Sequence, residues 1–195
     1  MMTDLLSPEK STTVRVIADA VTIREFDSTD LPGIRAMSHH LSARSLYQRF
    51  FAGTPAIPAA LLRQLAQVDH DRQDAVVAVA DHLVVGLAQA VRTEPGTAEI
   101  GVLVVDAWQN RGLGRTLVTA LAERALPRGI GEFRASVLPG NEPARHALTR
   151  LWPGAVGSVD EDCLLYRLPL APLLSASHLA PARVPGGLRR CVAVR

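Results

Sequence analysis

The stretch TAEIGVLVVDAWQNRGLGRTLVTALAERAL, residues 97–126, decides how the rest of the chain is interpreted. Its first part is rich in β-branched residues and alternates in a way that predicts a strand over residues 97–105. From Leu113 onward, leucine, valine and alanine recur at three- and four-residue intervals, which predicts a helix with one apolar face. A polar turn with two glycines, Gly112 and Gly114, joins the strand to the helix.

This glycine turn predicts a binding site for an anion. Glycines let the backbone pass close to a ligand, and the helix N-terminus adds unpaired N–H donors and a partial positive charge. Such a site suits a pyrophosphate, whereas a tight turn without a ligand is the simpler alternative for an isolated Gly-x-Gly. A Rossmann fingerprint needs a third glycine where this chain has Leu117, and a P-loop needs Gly-Lys-Ser/Thr, which the turn lacks.

The longer pattern Gln-x-x-Gly-x-Gly, which opens a helix directly after an apolar strand, resembles the coenzyme A pyrophosphate loop of the GNAT superfamily of N-acetyltransferases. The resemblance covers roughly residues 20–170. It implies that backbone groups of Leu103, Val104 and Val105 bind the pantetheine arm. It also implies that Asn141 contacts the coenzyme, although a helix cap explains this asparagine equally well. The residues implied for the pyrophosphate are Gln109, Asn110, Arg111, Gly112, Leu113, Gly114 and Arg115.

Composition limits the classes of partner. The chain has 195 residues, 48% of them hydrophobic and 21% charged, with a formal net charge of +2. These values favour one globular domain and give no reason to expect a nucleic acid or an anionic membrane as partner. Cys163 and Cys191 form neither a disulfide framework nor a metal-ligand spacing, so no metal is expected. Without a signal peptide or a long apolar run, we expect a cytoplasmic protein, monomeric or homodimeric.

The order of predicted elements defines an α+β fold. The predicted order is one strand, helices, three meandering strands, a helix, a strand, a helix and two strands. This order predicts a mixed, mostly antiparallel sheet of about six to seven strands with helices on both faces. The GNAT resemblance implies that this sheet is splayed at the coenzyme A site. We expect a flexible leader at 1–19, the domain at 20–170 and an ill-ordered tail at 171–195. Asp30 is expected to cap a first helix that runs to about residue 43.

Two further phrases resemble the Pat-type protein lysine acetyltransferases within that superfamily. The run Ser45-Leu46-Tyr47-x-Arg49-Phe50-Phe51 implies that Phe50 and Phe51 form a wall over the acetyl group, which is compatible with ordinary packing between helices. The phrase Asp69-His70-Asp71 also matches the subgroup. Its histidine suits either acid–base work or a solvated turn.

Glu99 is the candidate general base. The reaction is the attack of an amine on a thioester, and a lysine ammonium, with a pKa near 10.4, must first lose a proton. Glu99 is the one acidic residue in the predicted strand and lies on the same face as Gly101 and Leu103. Burial among such neighbours would raise its pKa toward a value that suits a general base. Ala98-Glu99-Ile100 also matches the Pat-type phrase that carries the catalytic glutamate. The alternative is a structural carboxylate paired with Arg92 or Arg134.

These observations predict an acetyl-coenzyme A-dependent N-acetyltransferase that acts on protein lysines. One alternative is a small-molecule amine such as a polyamine or aminoglycoside, held in an acidic groove formed by Asp69, Asp71, Asp74 and Glu94. Another is a coenzyme A-binding sensor without catalysis. It stays open because Leu148 occupies the position where many relatives have a tyrosine acid, and Tyr166 is no obvious substitute.

Overall fold

The structure is a computed structural model that describes residues 15–17 and 21–177. Its centre is one mixed sheet whose strands follow the order β1-β2-β3-β4-β5-β6-β8-β7. All neighbouring strands are antiparallel except β5 and β6, which are parallel and are connected through a helix. The strands are β1 Arg15–Ile17, β2 Val21–Glu25, β3 Gln73–Ala80, β4 Leu83–Glu94, β5 Thr97–Val104, β6 Glu132–Val137, β7 Ser158–Asp160 and β8 Cys163–Pro169.

Six α-helices accompany the sheet in the described residues. Gly33 of α1 approaches Val84 on one face of the sheet, and a Cβ added to Gly86 would meet Leu113 and Leu117 of α4 on the other. Helices therefore cover both faces, as predicted. The helices are α1 Leu31–Ala36, α2 Ala43–Phe50, α3 Ala59–Leu65, α4 Leu113–Ala125, α5 Glu142–Leu151 and α6 Leu170–Ser177.

Small residues in the central strands allow α4 to pack closely on the sheet. Ala78 and Ala88 are fully buried, and Gly86 leaves room for the side chain of Leu117. The apolar face of α4 is buried from Leu113 to Ala125, so the periodicity read from the sequence corresponds to real packing. This packing fixes the N-terminal end of α4 beside the C-terminal end of β5.

The mixed α+β fold is confirmed, with three local differences from the sequence prediction. Residues 15–17, expected in a flexible leader, form the edge strand β1, which makes eight strands instead of six or seven. The first helix is broken, because a 3-10 turn at Met37–His40 and an extended Leu41 separate α1 from α2. In the segment predicted as an ill-ordered tail, α6 buries Leu170 and Leu173. The rest of that tail, and residues 1–14, lie outside the described residues.

The cap of the first helix also differs. Asp27 accepts the backbone N–H of Thr29 and forms a capping box with Asp30 around the short turn at Ser28–Asp30. Asp30 itself makes no side-chain cap for α1 and instead binds the Arg24 guanidinium at 2.6 and 2.7 Å. Across the described chain, no helix combines the length with the apolar composition that a membrane crossing requires.

Candidate active site

The glycine turn has the backbone geometry of an open cradle. Asn110 and Gly112 both adopt left-handed conformations, with φ of +57° and +81°. Gly112 is the N-cap of α4 and has no side chain, so it provides no side-chain acceptor for the first amide N–H groups of the helix. A Cβ added to Gly112 or Gly114 would meet no heavy atom within 4 Å. The turn therefore presents backbone donors to open space, which suits an anionic group.

Two exposed arginines add positive charge to this turn. Arg111 lies with its guanidinium 5.4 Å from the centre of the Trp108 ring, and Arg115 lies in the first turn of α4. Within residues 15–17 and 21–177, neither arginine forms an ion pair with a carboxylate. Both cations, together with the helix N-terminus, can therefore neutralise a phosphate-bearing ligand.

Gln109 ties the turn to two other elements. Its Nε2 donates to the Val104 carbonyl at 2.9 Å and lies 3.2 Å from the Ser45 hydroxyl and 3.1 Å from the Asp106 carboxylate. Asp106 in turn accepts the backbone N–H of Ser42 and the Ser45 hydroxyl, at 3.0 and 2.7 Å. The start of α2 is thereby fixed to the turn. The side-chain amide N–H groups of Gln109 are used within the protein, and its predicted coenzyme contact stays a prediction.

The β5 strand parts from β6 after a short contact. Only Thr97, Ala98 and Glu99 pair with β6, whereas β5 continues to Val104 against β4. The N–H of Val105 bonds the Val85 carbonyl on the β4 side, so the Val104 carbonyl in the same peptide unit points the other way, into the gap. By alternation, the backbone groups of Val102 also face the gap.

The backbone groups that face the gap differ in one respect from those predicted to bind the pantetheine arm. Of Leu103, Val104 and Val105, only Val104 directs its backbone groups into the gap, and its carbonyl there already accepts Gln109 Nε2. Leu103 faces β4 by alternation, the N–H of Val105 bonds Val85 in β4, and the Val105 carbonyl accepts the N–H of Trp108. Val102 is the further residue with free edge groups. Sequence reasoning missed it because the direction of a peptide group depends on pairing, which the alternation of side chains does not reveal.

Glu99 is the last residue of β5 that pairs with β6. Its side chain is exposed, so the predicted burial is wrong. The pairing alternative is not realised either, because Arg134 binds Glu94 at 2.9 and 3.0 Å and Arg92 donates to the Arg128 carbonyl at 2.9 Å. Among the described residues, Glu99 has no ion-pair partner. It is a free carboxyl at the point where the two strands separate.

Arg49 is a second residue that sequence reasoning missed. Its guanidinium covers Gly101 so closely that a Cβ at this position would overlap it. Burial lowers the pKa of the Arg49 guanidinium, and the nearby Glu99 carboxylate opposes this shift, although the two groups form no ion pair. Gly101 carried the signal, because a glycine inside a strand often marks the close approach of another group.

The two phenylalanines of the predicted substrate wall occupy different environments. Phe50 is partly buried against the core, and its ring lies 5.2 Å from the Arg49 guanidinium carbon. Phe51 is 41% exposed and ends α2 in a left-handed conformation. Their contact with an acyl group stays a prediction.

Asn141 and Leu148 lie on α5, which follows β6. The Asn141 side chain caps this helix by accepting the N–H of Ala144 at 3.2 Å, so the helix-cap interpretation is realised. Its amide nitrogen stays available to a ligand. Leu148 is buried in the core, which accounts for an apolar residue at this position.

Tyr166 and His70 lie on elements other than β5 and β6, the strands that border the gap. Tyr166 is buried on β8 beside Ala135 and lines a cleft of about 350 Å³ with four residues of α5, none of them predicted for the site. His70 lies at the C-terminal end of α4, where its ring nitrogens are 2.8 Å from Asp74 and 3.2 Å from Glu25. This end of α4 is about 20 Å from the glycine turn. The described residues contain no group of three or more His, Cys, Asp or Glu placed to hold a metal ion.

Taken together, the open cradle and the edge of β5 that β6 leaves unpaired form a site whose shape and charge suit a phosphate-bearing chain, and the Glu99 carboxyl lies at its inner end. The model of the acetyltransferase (GNAT) family matches residues 37–151, and the chain belongs to this family. The protein is therefore an acyltransferase with acetyl-coenzyme A as co-substrate, as predicted.

Solved structures share the fold. The chain is similar to the GNAT domain of Streptomyces lividans PAT, with a TM-score of 0.73 and 23% identity over 81% of this chain and 96% of that one. It is similar to the PaiA N-acetyltransferase of Thermoplasma acidophilum, which was solved in complex with coenzyme A. That match has a TM-score of 0.62 and 14% identity over 77% of this chain and 99% of that one. It is also similar to a variant of the cAMP-binding acyltransferase of Mycobacterium smegmatis, with a TM-score of 0.54 and 28% identity. That match covers 83% of this chain but 47% of the acyltransferase.

Proposed function

We propose that this protein transfers the acetyl group of acetyl-coenzyme A to lysine side chains of proteins, with Glu99 as general base. The observation that carries the proposal is the position of Glu99. It is an exposed, unpaired carboxyl at the residue where β5 leaves β6, on the face of the sheet that α2 covers. A general base is needed close to the thioester, and Glu99 is the carboxyl at the inner end of the gap.

The coenzyme lies along the gap in this proposal. Backbone N–H groups of residues 110–115 hold its pyrophosphate, with Arg111 and Arg115 as counter-charges, and Gln109 holds the turn in place. The pantetheine arm runs from the turn along the free edge of β5. From Val104 back to Ile100 the strand spans about 13 Å, so the thioester comes to lie near Ile100 and Gly101. The Asn141 amide nitrogen contacts the coenzyme from α5.

The chemistry then follows from the residues around this point. Acetyl-coenzyme A supplies an acyl carbon activated as a thioester. Glu99 takes a proton from the acceptor ammonium, directly or through a water, and the freed nitrogen attacks the acyl carbon. The N–H of Val102, which faces the gap, polarises the carbonyl oxygen. As the C–N bond forms, the C–S bond breaks, the nitrogen releases its second proton to solvent, and the thiolate takes a proton from solvent because Leu148 provides none. Glu99 then returns its proton to solvent.

Two observations support a protein lysine as acceptor. The Ser-Leu-Tyr-x-Arg-Phe-Phe run forms α2, which places Arg49 over Gly101 beside Glu99. This run resembles the Pat-type enzymes, and a PAT domain is among the structures with a similar fold.

An acidic groove for a polyamine has less support. Asp74 is buried against Arg124, Glu94 is paired with Arg134, and Asp69 accepts backbone N–H groups. Of the four carboxylates expected to form the groove, only Asp71 is both exposed and weakly paired, 3.9 Å from Arg92.

The test is the variant Glu99→Gln. It keeps the shape of the side chain and removes the base, so we expect kcat for acetyl transfer to a lysine peptide to decrease about 10²–10⁴-fold with unchanged Kd for acetyl-coenzyme A. Thiol release and calorimetric titration measure the two quantities. Glu94→Gln is the matched control, because Glu94 is an exposed carboxyl on the neighbouring strand, and it should leave transfer within about twofold of wild type.

Three other outcomes would each change the conclusion. Unchanged turnover by Glu99→Gln would remove this residue from the mechanism. Transfer to spermidine but to no lysine peptide would favour a small-molecule amine. Tight binding of acetyl-coenzyme A without transfer to any amine would favour the sensor.

A further inference from the structure

A cleft of about 350 Å³ lies between α5 and β8, and the proposed reaction makes no use of it. This volume is at the lower end of the range for small-molecule sites, so the cleft suits a compact ligand. Among the described residues, its lining includes none from β5 or from the glycine turn. We call it the α5 cleft and define it by its five lining residues, Glu142, Arg145, His146, Thr149 and Tyr166.

The four lining residues of α5 form one wall of the cleft. They follow the spacing i, i+3, i+4 and i+7, which places them along a single face of the helix, and all four are exposed. A different face of α5 buries Leu148 in the core, so the packing of the helix does not depend on these polar side chains.

Tyr166 provides an unpaired hydroxyl to the cleft. The residue is only 4% exposed, yet its hydroxyl has no hydrogen-bond partner within the described residues. Every fully buried side-chain nitrogen or oxygen in that part of the chain has a partner, so the hydroxyl of Tyr166 opens to the cleft that this residue lines. A buried phenol normally bonds to a partner, and a ligand in the cleft can supply one.

Gly157 leaves the space in which the Tyr166 ring lies. A Cβ at position 157 would be 2.9 Å from Cζ of Tyr166, the ring carbon that carries the hydroxyl, and 3.0 Å from Cβ of Leu164. Gly157 does not adopt a positive φ, so its backbone conformation does not require glycine. The close approach of the ring accounts for this glycine, which therefore holds the hydroxyl in its present position.

The cleft carries two opposite charges that are both unpaired. Within residues 15–17 and 21–177, neither Glu142 nor Arg145 forms an ion pair. Their spacing on the helix permits one, but Nη1 of Arg145 donates to the Pro139 carbonyl at 3.0 Å instead. A simple anion would be repelled by Glu142, and a simple amine would be repelled by Arg145. A ligand with both charges is attracted by both residues.

We propose that the α5 cleft is a binding site for a free α-amino acid. Its ammonium pairs with Glu142, its carboxylate pairs with Arg145, and the Tyr166 hydroxyl donates a hydrogen bond to the ligand. Residues three apart on a helix have Cβ atoms about 5–6 Å from each other, so the two charged groups can flank a ligand whose charges are on one carbon. This site is additional to the proposed acetyl transfer and does not depend on it.

The variants Tyr166→Phe and Arg145→Gln separate binding from structure. Since the Tyr166 hydroxyl has no partner in the protein, Tyr166→Phe should melt at or above the wild-type temperature and bind the amino acid about three- to tenfold more weakly. Arg145→Gln should weaken binding about tenfold or more, because a charge-assisted bond is lost. Arg150→Gln is the matched control, since Arg150 is an exposed arginine of α5 that does not line the cleft.

The probes are the proteinogenic amino acids, each titrated in turn at millimolar concentration and followed by NMR. We expect at least one to bind wild type and Arg150→Gln equally. The N-acetyl and carboxamide derivatives of that amino acid each lack one charge and should bind about tenfold or more weakly. Glu99→Gln should keep the affinity of wild type, which distinguishes the cleft from the acceptor site.

Four results would overturn the proposal: no binding of any amino acid, equal binding of the two derivatives, binding that survives both Tyr166→Phe and Arg145→Gln, or binding that is lost in Glu99→Gln. Failure of the proposed function looks different. In that case no lysine peptide is acetylated, and the amino acid still binds with the expected response to the two variants of the cleft.

Discussion

Arg49 lies over Gly101 on the face of β5 that carries the candidate base, and the two residues allow a test at the scale of one residue. The variant Gly101→Ala places a methyl group where the guanidinium lies, and the flexible arginine must move away. We expect normal folding and a decrease of about tenfold or more in kcat/KM for acetyl transfer, because the displaced Arg49 guanidinium no longer positions the reacting groups beside Glu99. Steady-state kinetics and a thermal melt measure both quantities.

A double-mutant cycle isolates the cause. In an Arg49→Ala background there is no guanidinium to displace, so Gly101→Ala should change kcat/KM by less than about twofold. If the alanine lowers activity equally in both backgrounds, the methyl group acts by itself and Arg49 has no part in the effect.

Asp69 gives a prediction on pH at the same scale. Backbone N–H groups of Gln73, Asp71 and Arg72 donate to its carboxylate at 2.8–3.0 Å and hold the pKa of Asp69 below its ordinary value. A lowered folded-state pKa adds stability above the unfolded value, near pH 4, and this stability is lost as the pH falls through the folded pKa.

The variant Asp69→Asn should therefore melt at a lower temperature than wild type at pH 7, and the difference should shrink below about pH 4. Thermal melts across this range measure it. Asp71→Asn is the control, since Asp71 is 74% exposed and only 3.9 Å from Arg92. A melting difference that is the same at pH 7 and pH 3 would show that the charge of Asp69 is not the cause.

At the scale of an element, α4 separates binding from stability at its two ends. Its N-terminal end forms the open cradle at Gly112 and Gly114. Its C-terminal end carries Arg124, which binds Asp74 at 2.8 and 2.9 Å and Glu25 at 2.9 Å while 11% exposed. The two ends should respond to substitution in opposite ways.

The variant Gly114→Ala should keep or raise the melting temperature, because alanine is favoured over glycine in a helix, and should weaken acetyl-coenzyme A binding about tenfold or more. Arg124→Met removes the guanidinium that binds Asp74 and Glu25 and leaves them only Arg128, 3.6 Å from Asp74, and the His70 ring. It should cost about 3 kcal/mol in urea unfolding with unchanged Kd. Arg167→Met, which removes an exposed pair with Glu132, should cost less than about 1 kcal/mol. Parallel losses of binding and stability in either α4 variant would contradict this division.

At the scale of the whole molecule, the sequence predicted those features that follow from local patterns. The strands β2 to β6 and β8, the helix α4 and the glycine turn all carry a strong period or a glycine signal, and the structure contains them. The strand β1 was missed because three residues carry too little pattern. The helix α6 was missed because LAPLLSAS is apolar without a clear period and is stabilised by burial of Leu170 and Leu173.

The candidate site was predictable only in part, for a related reason. Glu99 could be placed on β5 and on one face by alternation, but its exposure depends on where β6 diverges and on which residues lie over the strand. Arg49 lies fifty residues earlier in the chain, and only the tertiary arrangement brings its guanidinium to Gly101. Long-range pairing and solvent access are properties of the assembled fold, and no local pattern encodes them.

The three-residue contact between β5 and β6 has a consequence for the architecture. The strands β1–β5 form one antiparallel half of the sheet, and β6, β8 and β7 form the other. Within the sheet only Thr97–Glu99 and their partners join the two halves. A chain-like ligand that hydrogen-bonds along the remaining edge of β5 completes the seam between two half-sheets. In the proposed binding mode, the co-substrate would occupy the position of an additional strand between the two half-sheets, in space that the incomplete pairing of β5 and β6 leaves open.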